Sequence, residues 1–478
     1  MAYSYEQINA FLNPASIALV GASEGLNSIP GRATRYIFGM GFAGQIAPVN
    51  PKRSHILGAL AYADIEAIPF PIDLALILRP YQEVAGIVKA CARKKVPYII
   101  LAAGGFAEMG RQGALRQKRL HDLTREAGIR VLGPNCMGFL NLHGKICTTF
   151  SPVVELPLIA GGVGIVSQSG AMAGAIMNRL QDADVGISCL VSTGNEMDLG
   201  TNDFLNYFID DEKTKVIVTY LEGIKDGRGF LSAAGRAYQA GKPLVVLTAG
   251  MSSLGKSIAA SHTGAMAASR DVLMGALRQY GAIVCNDMEE LIGTVRLLSL
   301  HNELNGDGIG VIATSGGAAA IFADKAQEVG LRLPCFTPET SQRLSSILKF
   351  ATAHNPVDLT GQVVTGDDAF FTETLRLILE DENIDFLVLL ITQIRGPSGR
   401  ALFSALAELA GQCPKPIAAV RVVGSMVADS IHLLKETRRI TMFTSFGECA
   451  RAIGNVLGYQ TLRRKREKEA APVCSNNT

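Results

Sequence analysis

His262 is the residue whose surroundings point most directly to chemistry. It lies in Ala260-Ser-His-Thr-Gly-Ala265, where small neighbours leave room for a ligand to approach the imidazole. An imidazole with a neutral ring nitrogen near pH 7 can act as a nucleophile toward phosphorus. Glu222, in Tyr220-Leu-Glu-Gly223, is a candidate carboxylate for the other ring nitrogen. A lone histidine in a loop is also often structural, so these residues alone leave both interpretations open.

Three turns made of small residues are candidate phosphate sites, because each follows an apolar strand and precedes a helix. They are Val20-Gly-Ala-Ser23, Val166-Ser-Gln-Ser-Gly170 and Ala313-Thr-Ser-Gly-Gly317, spaced almost evenly along the chain. A helix N-terminus attracts anions through its free N–H groups and its dipole. A phosphoryl group that moves to and from a histidine needs such groups. We therefore predict phosphate contacts in the second and third turns, at Ser167, Ser169, Gly170, Ala171, Ser315, Gly316 and Gly317.

The first turn, Gly21-Ala-Ser-Glu-Gly25, predicts a phosphate-bearing ligand rather than a dinucleotide. Its free N–H groups and the following helix suit a phosphate, but the motif is not G-x-G-x-x-G. An NAD site would also need an acid near the end of the second strand. This chain has Asn50-Pro-Lys52 there, and the lysine favours a ligand that carries phosphate. The alternative is an ordinary helix cap beside a solvent-exposed lysine.

Other chemistries fit the sequence less well. Gly250-Met-Ser-Ser-Leu-Gly-Lys-Ser257 matches the P-loop pattern literally, but it follows the fourth strand of its unit. Gly264 also interrupts the helix that a P-loop should begin. The G-x-S-x-G motif of serine hydrolases is absent at Ser167 and Ser169. No His, Cys or Asp cluster has the spacing of metal ligands, so we expect no metal site.

The composition limits the classes of function. A chain of 478 residues with 48% hydrophobic and 18% charged residues has enough apolar surface for about three domains. A net charge of +2 creates no general attraction for nucleic acid or an anionic membrane. Nine cysteines without a C-x-x-C pair argue against a disulfide framework. We expect a cytoplasmic protein, because no signal pattern or membrane-length apolar run is present.

Short apolar strands alternate with amphipathic helices along most of the chain. This pattern predicts an α/β fold in which parallel sheets are covered by helices on both faces. The three turns then open three tandem doubly wound domains, over residues 1–142, 143–304 and 305–462. We expect a linker from His143 to Gly161, a last helix from about Phe446 to Leu462, and a solvated, frayed tail over 463–478.

Eight motifs together point to a family. They are Ser16-Ile-Ala-Leu-Val-Gly-Ala-Ser23, Pro48-Val-Asn-Pro-Lys52, Gly133-Pro-Asn-Cys-Met-Gly138, Ser167-Gln-Ser-Gly-Ala171, Ser192-Thr-Gly-Asn-Glu196, Tyr220-Leu-Glu-Gly223, Ser261-His-Thr-Gly-Ala265 and Asn355-Pro-Val-Asp-Leu-Thr-Gly361. With them, the chain resembles the α subunit of the NDP-forming acyl-CoA synthetases, the group of ADP-forming acetate–CoA ligase. It resembles succinyl-CoA synthetase more distantly. The resemblance covers residues 5–460.

The resemblance implies both a fold and a chemistry. The fold would be a Rossmann-like CoA-binding domain followed by two flavodoxin-like domains of the succinyl-CoA-synthetase type. His262 would be phosphorylated, Glu222 would support the phosphohistidine, and helix N-termini at Ser169-Gly170 and Gly316-Gly317 would hold the phosphoryl group. The implied CoA-binding residues are Gly21, Ala22, Ser23, Asn50, Lys52, Gly104 and Asn135. The reaction would be acyl-CoA + phosphate + NDP ⇌ carboxylic acid + CoA + NTP, through acyl phosphate and phosphohistidine.

The resemblance also implies a partner. The third unit is followed only by a short tail, without the nucleotide-binding ATP-grasp domains of the family. CoA and phosphate are therefore expected on this chain, and ATP or ADP with Mg²⁺ on an ATP-grasp β subunit in a heterotetramer. The substrate would be a small carboxylic acid or its acyl-CoA. One departure is Ser315-Gly-Gly-Ala-Ala319, which lacks a further glycine or proline. The alternative function is a CoA-binding regulatory protein that has lost ligase activity.

Overall fold

A computed structural model describes residues 3–250, 252, 254–255, 270–301, 304–348, 353–359, 368–424 and 429–470 of the chain. The chain divides into two compact units, Met1–Met288 and Glu289–Thr478. The first unit contains two large sheets and the second contains one.

The first sheet contains five parallel strands, and its central strands are buried along their whole length. Burial of every residue is the pattern expected when helices cover both faces of a parallel sheet. The strands are β1 Ser16–Val20, β2 Gln45–Val49, β5 Leu74–Ile77, β6 Tyr98–Leu101 and β7 Arg130–Leu132, and a small hairpin of β3 His55–Ile56 and β4 Ala59–Leu60 follows β2. The helices are α1 Tyr5–Leu12, α2 Ile29–Gly39, α3 Tyr81–Arg93 and α4 Arg111–Glu126.

The second sheet, in the same unit, has an antiparallel hairpin at one edge of five parallel strands. The hairpin consists of β8 Gly138–Asn141 and β9 Ile146–Cys147, and the parallel strands are β10 Ala160–Ser167, β11 Ile187–Ser192, β12 Val216–Leu221, β13 Leu244–Thr248 and β14 Ile283–Cys285. The helices are α5 Gly170–Asp182, α6 Thr201–Asp210, α7 Gly227–Gln239 and α8 Arg270–Gln279.

The predicted linker from His143 to Gly161 is partly regular structure. It contains β9 and the first residues of β10, as well as a 3-10 helix at Pro152–Glu155. Ile146 and Cys147 are both buried, so this short segment gains by extending the edge of the second sheet. The sequence expectation was wrong here because two apolar residues are too few to give a recognisable strand period.

The sheet of the second unit consists of five parallel strands. The strands are β15 Ile309–Ala313, β16 Val357–Asp358, β17 Phe386–Ile391, β18 Ile417–Arg421 and β19 Ile440–Phe443. The helices are α9 Met288–Leu300, α10 Gly316–Glu328, α11 Pro338–Ile347, α12 Asp368–Glu380, α13 Gly396–Gln412, α14 His432–Glu436 and α15 Phe446–Ala470.

The last helix is longer than the sequence predicted. It continues to Ala470, whereas we expected a helix end near Leu462 and a frayed tail from residue 463. Arginine, lysine and glutamate are good helix formers, and Arg463 pairs with Glu467 one turn later at 3.5 Å. The guanidinium of Arg464 also donates to the carbonyl of Leu304. These contacts carry the helix past the predicted boundary.

All three sheets have the same order of parallel strands. Numbered along the chain within each sheet, the order is second, first, third, fourth and fifth. This is the order of a doubly wound fold, in which ligands bind at the carboxyl ends of the strands near the switch in strand order. The predicted α/β class is thus confirmed. The described part of the chain contains no helix that is long and apolar enough to cross a membrane.

Aromatic side chains join the two sheets of the first unit. Phe11 of α1 packs against Phe139 of β8 and Phe204 of α6, with ring centroids 5.4 and 6.0 Å apart. All three rings are fully buried. The two sheets therefore share a hydrophobic core, which fixes the relative position of the loops at their carboxyl ends.

Candidate functional site

A cavity of about 650 Å³ lies in the first unit, where loops from both of its sheets meet. Its wall is formed largely by residues that follow β6, β7, β10, β11 and β12. The polar lining residues are Glu108, Gln117, Asn135, Gln168, Ser169, Asn195, Glu196, Glu222 and Lys225, and the apolar ones include Ala102, Ala107, Met137 and Phe150. A concave site with apolar walls and a few fixed polar groups is typical of ligand and cofactor binding.

The N-terminus of α5 forms one wall of this cavity. Ser169 caps the helix, and its hydroxyl accepts the backbone N–H of Met172 at 3.4 Å. Ser167 supports the cap from behind, because its Oγ donates to the carbonyl of Ser169 at 2.7 Å. A Cβ at Gly170 would lie 2.5 Å from the side chain of Met137, so the close approach of the helix requires glycine. The dipole at this helix start therefore favours the binding of an anion in the cavity.

Glu222 is held at the cavity wall through its backbone. It follows β12, and its N–H donates to the side-chain Oε1 of Gln168 at 2.7 Å. The N–H of Gly223 donates to the same oxygen at 3.0 Å. The turn that carries Glu222 is therefore tied to the segment from which α5 begins.

Two lining residues other than glycine have a left-handed backbone, Asn135 with φ +59° and Glu196 with φ +51°. Residues other than glycine rarely adopt this conformation, and such positions cluster at functional sites. Glu196 is stabilised there by its side chain. Its Oε1 accepts from Thr193 Oγ1 at 2.9 Å and from the N–H and hydroxyl of Thr201 at 2.9 and 2.5 Å.

Asn195 connects the two domains of the first unit across the cavity. Its Nδ2 donates to Glu108 Oε2 at 2.5 Å and to Gln117 Oε1 at 3.0 Å, and its Oδ1 accepts from Asn135 Nδ2 at 3.3 Å. Desolvation alone raises the pKa of Glu108, but the hydrogen bonds from Asn195 and from backbone N–H groups outweigh it and lower the pKa. The carboxylate form of Glu108 therefore anchors this wall.

Lys225 supplies a cationic group to the cavity lining. Its ammonium donates to the carbonyl of Asn195 at 2.6 Å and to the carbonyl of Glu196 at 3.0 Å. Desolvation lowers the pKa of Lys225, and the charge of Glu196 opposes this shift. Lys225 thus links the loop after β12, to which it belongs, to the loop after β11.

The structure brings several predicted site residues together. The predicted residues that line the cavity are Asn135, Ser169, Gly170 and Glu222. Ser167 is buried behind Ser169, and Ala171 is exposed on the first turn of α5. Gly104 lies beside Asn135, since a Cβ at Gly104 would be 3.5 Å from Asn135 Oδ1.

The first small-residue turn differs from the prediction, because most of its N–H groups are already paired. Four of them donate to neighbouring oxygen atoms at 3.0 to 3.3 Å, namely those of Gly21, Ala22, Ser23 and Gly25. The physical reason is that α2 begins only at Ile29, so the turn folds back on nearby strands and on α2 instead of opening the helix. The expected cradle of free N–H groups is therefore wrong for these four positions.

Asn50 joins the first turn to the loop that carries Lys52. Its Nδ2 donates to the carbonyl of Ala22 at 2.9 Å, and its Oδ1 accepts the backbone N–H of Lys52 at 2.8 Å. The side chain of Lys52 is exposed. A phosphate bound here would thus meet the lysine ammonium beside a loop that hydrogen bonds already hold in place.

The described lining of this cavity does not include two predicted parts of the site. His262 is outside the described residues, as are Lys256 and Ser257 of the segment that matches the P-loop pattern. The third small-residue turn belongs to the second unit, where Ser315 precedes α10. A Cβ at Gly316 would lie 2.6 Å from the carboxylate of Asp358, so this helix also begins at a glycine in a tight space.

Several polar residues of the cavity were not predicted, namely Glu108, Gln117, Gln168, Asn195, Glu196 and Lys225. Three of them belong to motifs quoted in the sequence analysis, namely Gln168, Asn195 and Glu196. Their membership in those motifs could have marked them as site residues. Glu108 and Gln117 gave no signal, because only the tertiary fold brings them to the second sheet. In the described ranges, no group of three or more His, Cys, Asp or Glu residues is arranged to hold a metal ion.

Three family models match the three sheets in turn. A CoA binding domain matches residues 15–141, a succinyl-CoA ligase like flavodoxin domain matches residues 160–298, and a ligase-CoA domain matches residues 309–434. The fold and the matched domains together define the class of acid–CoA ligases that are built like succinyl-CoA ligase.

Curated relatives identify the family within this class. The α subunits of ADP-forming acetate–CoA ligases I and II from Pyrococcus furiosus are each 32% identical to this chain. The matches cover 90% and 80% of this chain, and 93% and 81% of the two subunits. The chain therefore belongs to the family of ADP-forming acetate–CoA ligase α subunits. It spans only about half the length of several longer relatives, at 56%, 54% and 48%.

A solved structure supports the same relationship. The dinucleotide-forming acetyl-coenzyme A synthetase 1 from Candidatus Korarchaeum cryptofilum, in complex with phosphate and ADP, aligns with a TM-score of 0.85 and 28% identity. The alignment covers 97% of this chain and 99% of that chain. The similarity thus extends over all three domain types and not over one of them alone.

Proposed function

We propose that this chain is the CoA-binding, phosphohistidine-carrying subunit of an ADP- or other NDP-forming acid–CoA ligase. The proposal rests on one observation: Glu222 and the N-terminus of α5 share a cavity with Asn135, and the cavity is lined by both the CoA-binding and the first ligase domain. A carboxylate and an anion-attracting helix start are the two groups that phosphoryl transfer to a histidine needs. Family membership makes the same reaction the expected one.

In the first step, inorganic phosphate attacks the thioester carbonyl of acyl-CoA. The carbon–sulfur bond breaks, CoA leaves as the thiol after taking up a proton, and acyl phosphate forms. The start of α5 at Ser169 and Gly170 would hold the phosphate oxygens, because its N–H groups and dipole favour negative charge. The first domain would hold CoA along the loops that contain Gly21, Ala22, Ser23, Asn50, Lys52, Gly104 and Asn135. The ammonium of Lys52, rather than the paired N–H groups of the first turn, would contact a CoA phosphate.

In the second step, a ring nitrogen of His262 attacks the phosphorus of acyl phosphate. A nitrogen–phosphorus bond forms, the phosphorus–oxygen bond breaks, and the carboxylic acid leaves as its carboxylate. Glu222 would accept the N–H of the other ring nitrogen and stabilise the positive charge that develops on the imidazole. The phosphoryl group then passes to NDP, and the turn at Ser315, Gly316 and Gly317 would hold it at that stage.

The nucleotide and its Mg²⁺ would be bound by an ATP-grasp β subunit, with which this chain would form a heterotetramer in the cytoplasm. The α-subunit names of the two Pyrococcus furiosus relatives support the existence of a partner subunit. Mg²⁺ would neutralise the nucleotide phosphates there. The chain described here would contribute the acyl-CoA half of the reaction.

Thiol release from acyl-CoA tests the proposal. The chain and its co-purified partner are incubated with a panel of acyl-CoA thioesters that includes acetyl-CoA, and free CoA is measured with a thiol reagent. We expect release that requires phosphate, and continued release over many turnovers that also requires NDP. Tight CoA binding in calorimetry without phosphate-dependent release from any thioester would support the regulatory alternative and contradict the ligase function.

A further inference from the structure

The side chain of Gln168 joins three parts of the cavity wall. Gln168 stands between β10 and α5, and its backbone N–H donates to the carbonyl of Tyr220 at 3.2 Å. Its Oε1 accepts the N–H groups of Glu222 and Gly223 at 2.7 and 3.0 Å. Its Nε2 donates to the carbonyl of Gly223 at 2.7 Å and to Glu196 Oε2 at 3.2 Å. These four side-chain bonds use the full capacity of a primary amide.

Only an amide of this length satisfies the arrangement. The backbone of the turn at Glu222 and Gly223 presents two N–H groups and one carbonyl toward position 168, so the side chain must accept and donate at once. A glutamate would accept both N–H groups but would lose both donors. Its charge would also face the carboxylate of Glu196. A methionine has similar length and makes no comparable hydrogen bond.

We propose that Gln168 is a positioning residue that sets the location of the Glu222 carboxylate relative to the start of α5. The inference rests on the proposed function, in which these two groups act on the histidine and on the phosphate. Gln168 precedes the Ser169 cap directly and binds the backbone of Glu222, so one residue controls the distance between the two. Misplacement of a reacting group by about 1 Å can slow a reaction by about 100-fold.

Gln181 provides a matched control. Like Gln168, it belongs to the domain around the second sheet, and its side-chain amide also holds backbone groups in place. Its Oε1 accepts the N–H of Ile159 at 2.5 Å, and its Nε2 donates to the carbonyls of Ile159 and Val185 at 3.2 and 2.9 Å. Gln181 is buried, and it does not line the cavity. Its substitution removes a comparable set of bonds far from the reacting groups.

The first measurement is hydrogen exchange of the full-length chain. We expect Gln168→Met to raise exchange at the N–H groups of Glu222 and Gly223, and Gln168→Glu to keep much of their protection. Exchange within β11 should stay at the wild-type level in both variants. Unchanged protection of the 222–223 turn in Gln168→Met would overturn the inference, because the turn would then be held by other contacts.

The second measurement is the rate at which the chain is labelled by acyl-CoA and ³²P-phosphate. We expect Gln168→Met to slow the maximal rate by about 10- to 100-fold, with an unchanged KM for acyl-CoA. Gln168→Glu should lie between Gln168→Met and wild type, and Gln181→Met should label at the wild-type rate. A wild-type rate in Gln168→Met, or equal slowing in Gln181→Met, would overturn the positioning role. Failure of the wild-type chain to label would instead contradict the proposed function.

Discussion

Two carboxylates, Glu196 and Glu222, line the same cavity but are held in different ways. Four hydrogen bonds reach the side chain of Glu196, from Thr193, Thr201 and Gln168. A carboxylate with this many donors is fixed as a structural anion, because moving it would leave several donors unpaired. Glu222 is held by its backbone, beside the start of α5. These hydrogen bonds show that Glu196 supports the cavity wall, whereas support of the histidine by Glu222 is part of the proposed function.

Lys52 carries the prediction for CoA binding at the residue scale. Lys52→Ala removes one charged contact to a phosphate, which is worth about 1.5–3 kcal/mol before solvent weakens it. We expect the affinity for CoA to fall by roughly tenfold, measured by titration calorimetry. Lys89→Ala, at an exposed position of α3, is the control and should bind as wild type does. Equal CoA affinity in the Lys52 and Lys89 variants would remove Lys52 from the site.

At the scale of elements, the sequence predicted the strands that consist of long apolar runs. Strands such as Val216–Leu221 and Phe386–Ile391 are continuous, buried and bounded by turns, so their period and length were readable. The sequence did not predict β9 because two apolar residues show no strand period, and it did not predict β8 because the partner of β8, β11, lies far away in sequence. The end of α15 was missed because its last turns are stabilised by side chains rather than by an apolar face.

A helix end in the second unit carries a prediction for pH-dependent stability. His301 follows α9, and burial, helped by the nearby charge of Arg439, lowers the pKa of His301 from 6.5 to about 4. The unfolded chain binds this proton between pH 6.5 and 4 and the folded chain does not, so the free energy of unfolding falls as pH falls through this window. The loss is of the order of 1–3 kcal/mol.

Urea denaturation at pH 7.5, 6 and 5 measures this effect. His301→Gln cannot titrate, so its free energy of unfolding should change less with pH than that of the wild type. His354→Gln, at an exposed position of the same unit, should keep the wild-type dependence. The same slope in His301→Gln and wild type would show that His301 does not contribute.

At the scale of the whole molecule, the sequence predicted the class of reaction but not the hydrogen-bond network that forms the cavity wall. Motifs within single segments marked Ser169, Asn135 and Glu222, and the structure places all three at one cavity. The network through Asn195, Glu108 and Gln117 joins positions that are dozens of residues apart. Such pairs leave no local pattern, because each depends on how the two sheets share a core.

In the proposed function, His262 carries the phosphoryl group between the acyl-CoA half and the nucleotide half of the reaction. Its most direct test is to incubate the full chain with acyl-CoA and ³²P-phosphate and to follow protein-bound label. Phosphohistidine is labile in acid and survives alkali, unlike a serine ester. His262→Asn keeps a polar side chain of similar size but offers no ring nitrogen to phosphorus, and Glu222→Gln keeps the nucleophile while removing the supporting charge.

We predict that the wild-type chain acquires an acid-labile, alkali-stable label and that Glu222→Gln acquires it more slowly. His262→Asn should acquire none and should still bind CoA as the wild type does. Undiminished labelling of His262→Asn, or a label that survives acid, would contradict the account, because the phosphoryl group would then reside on another residue.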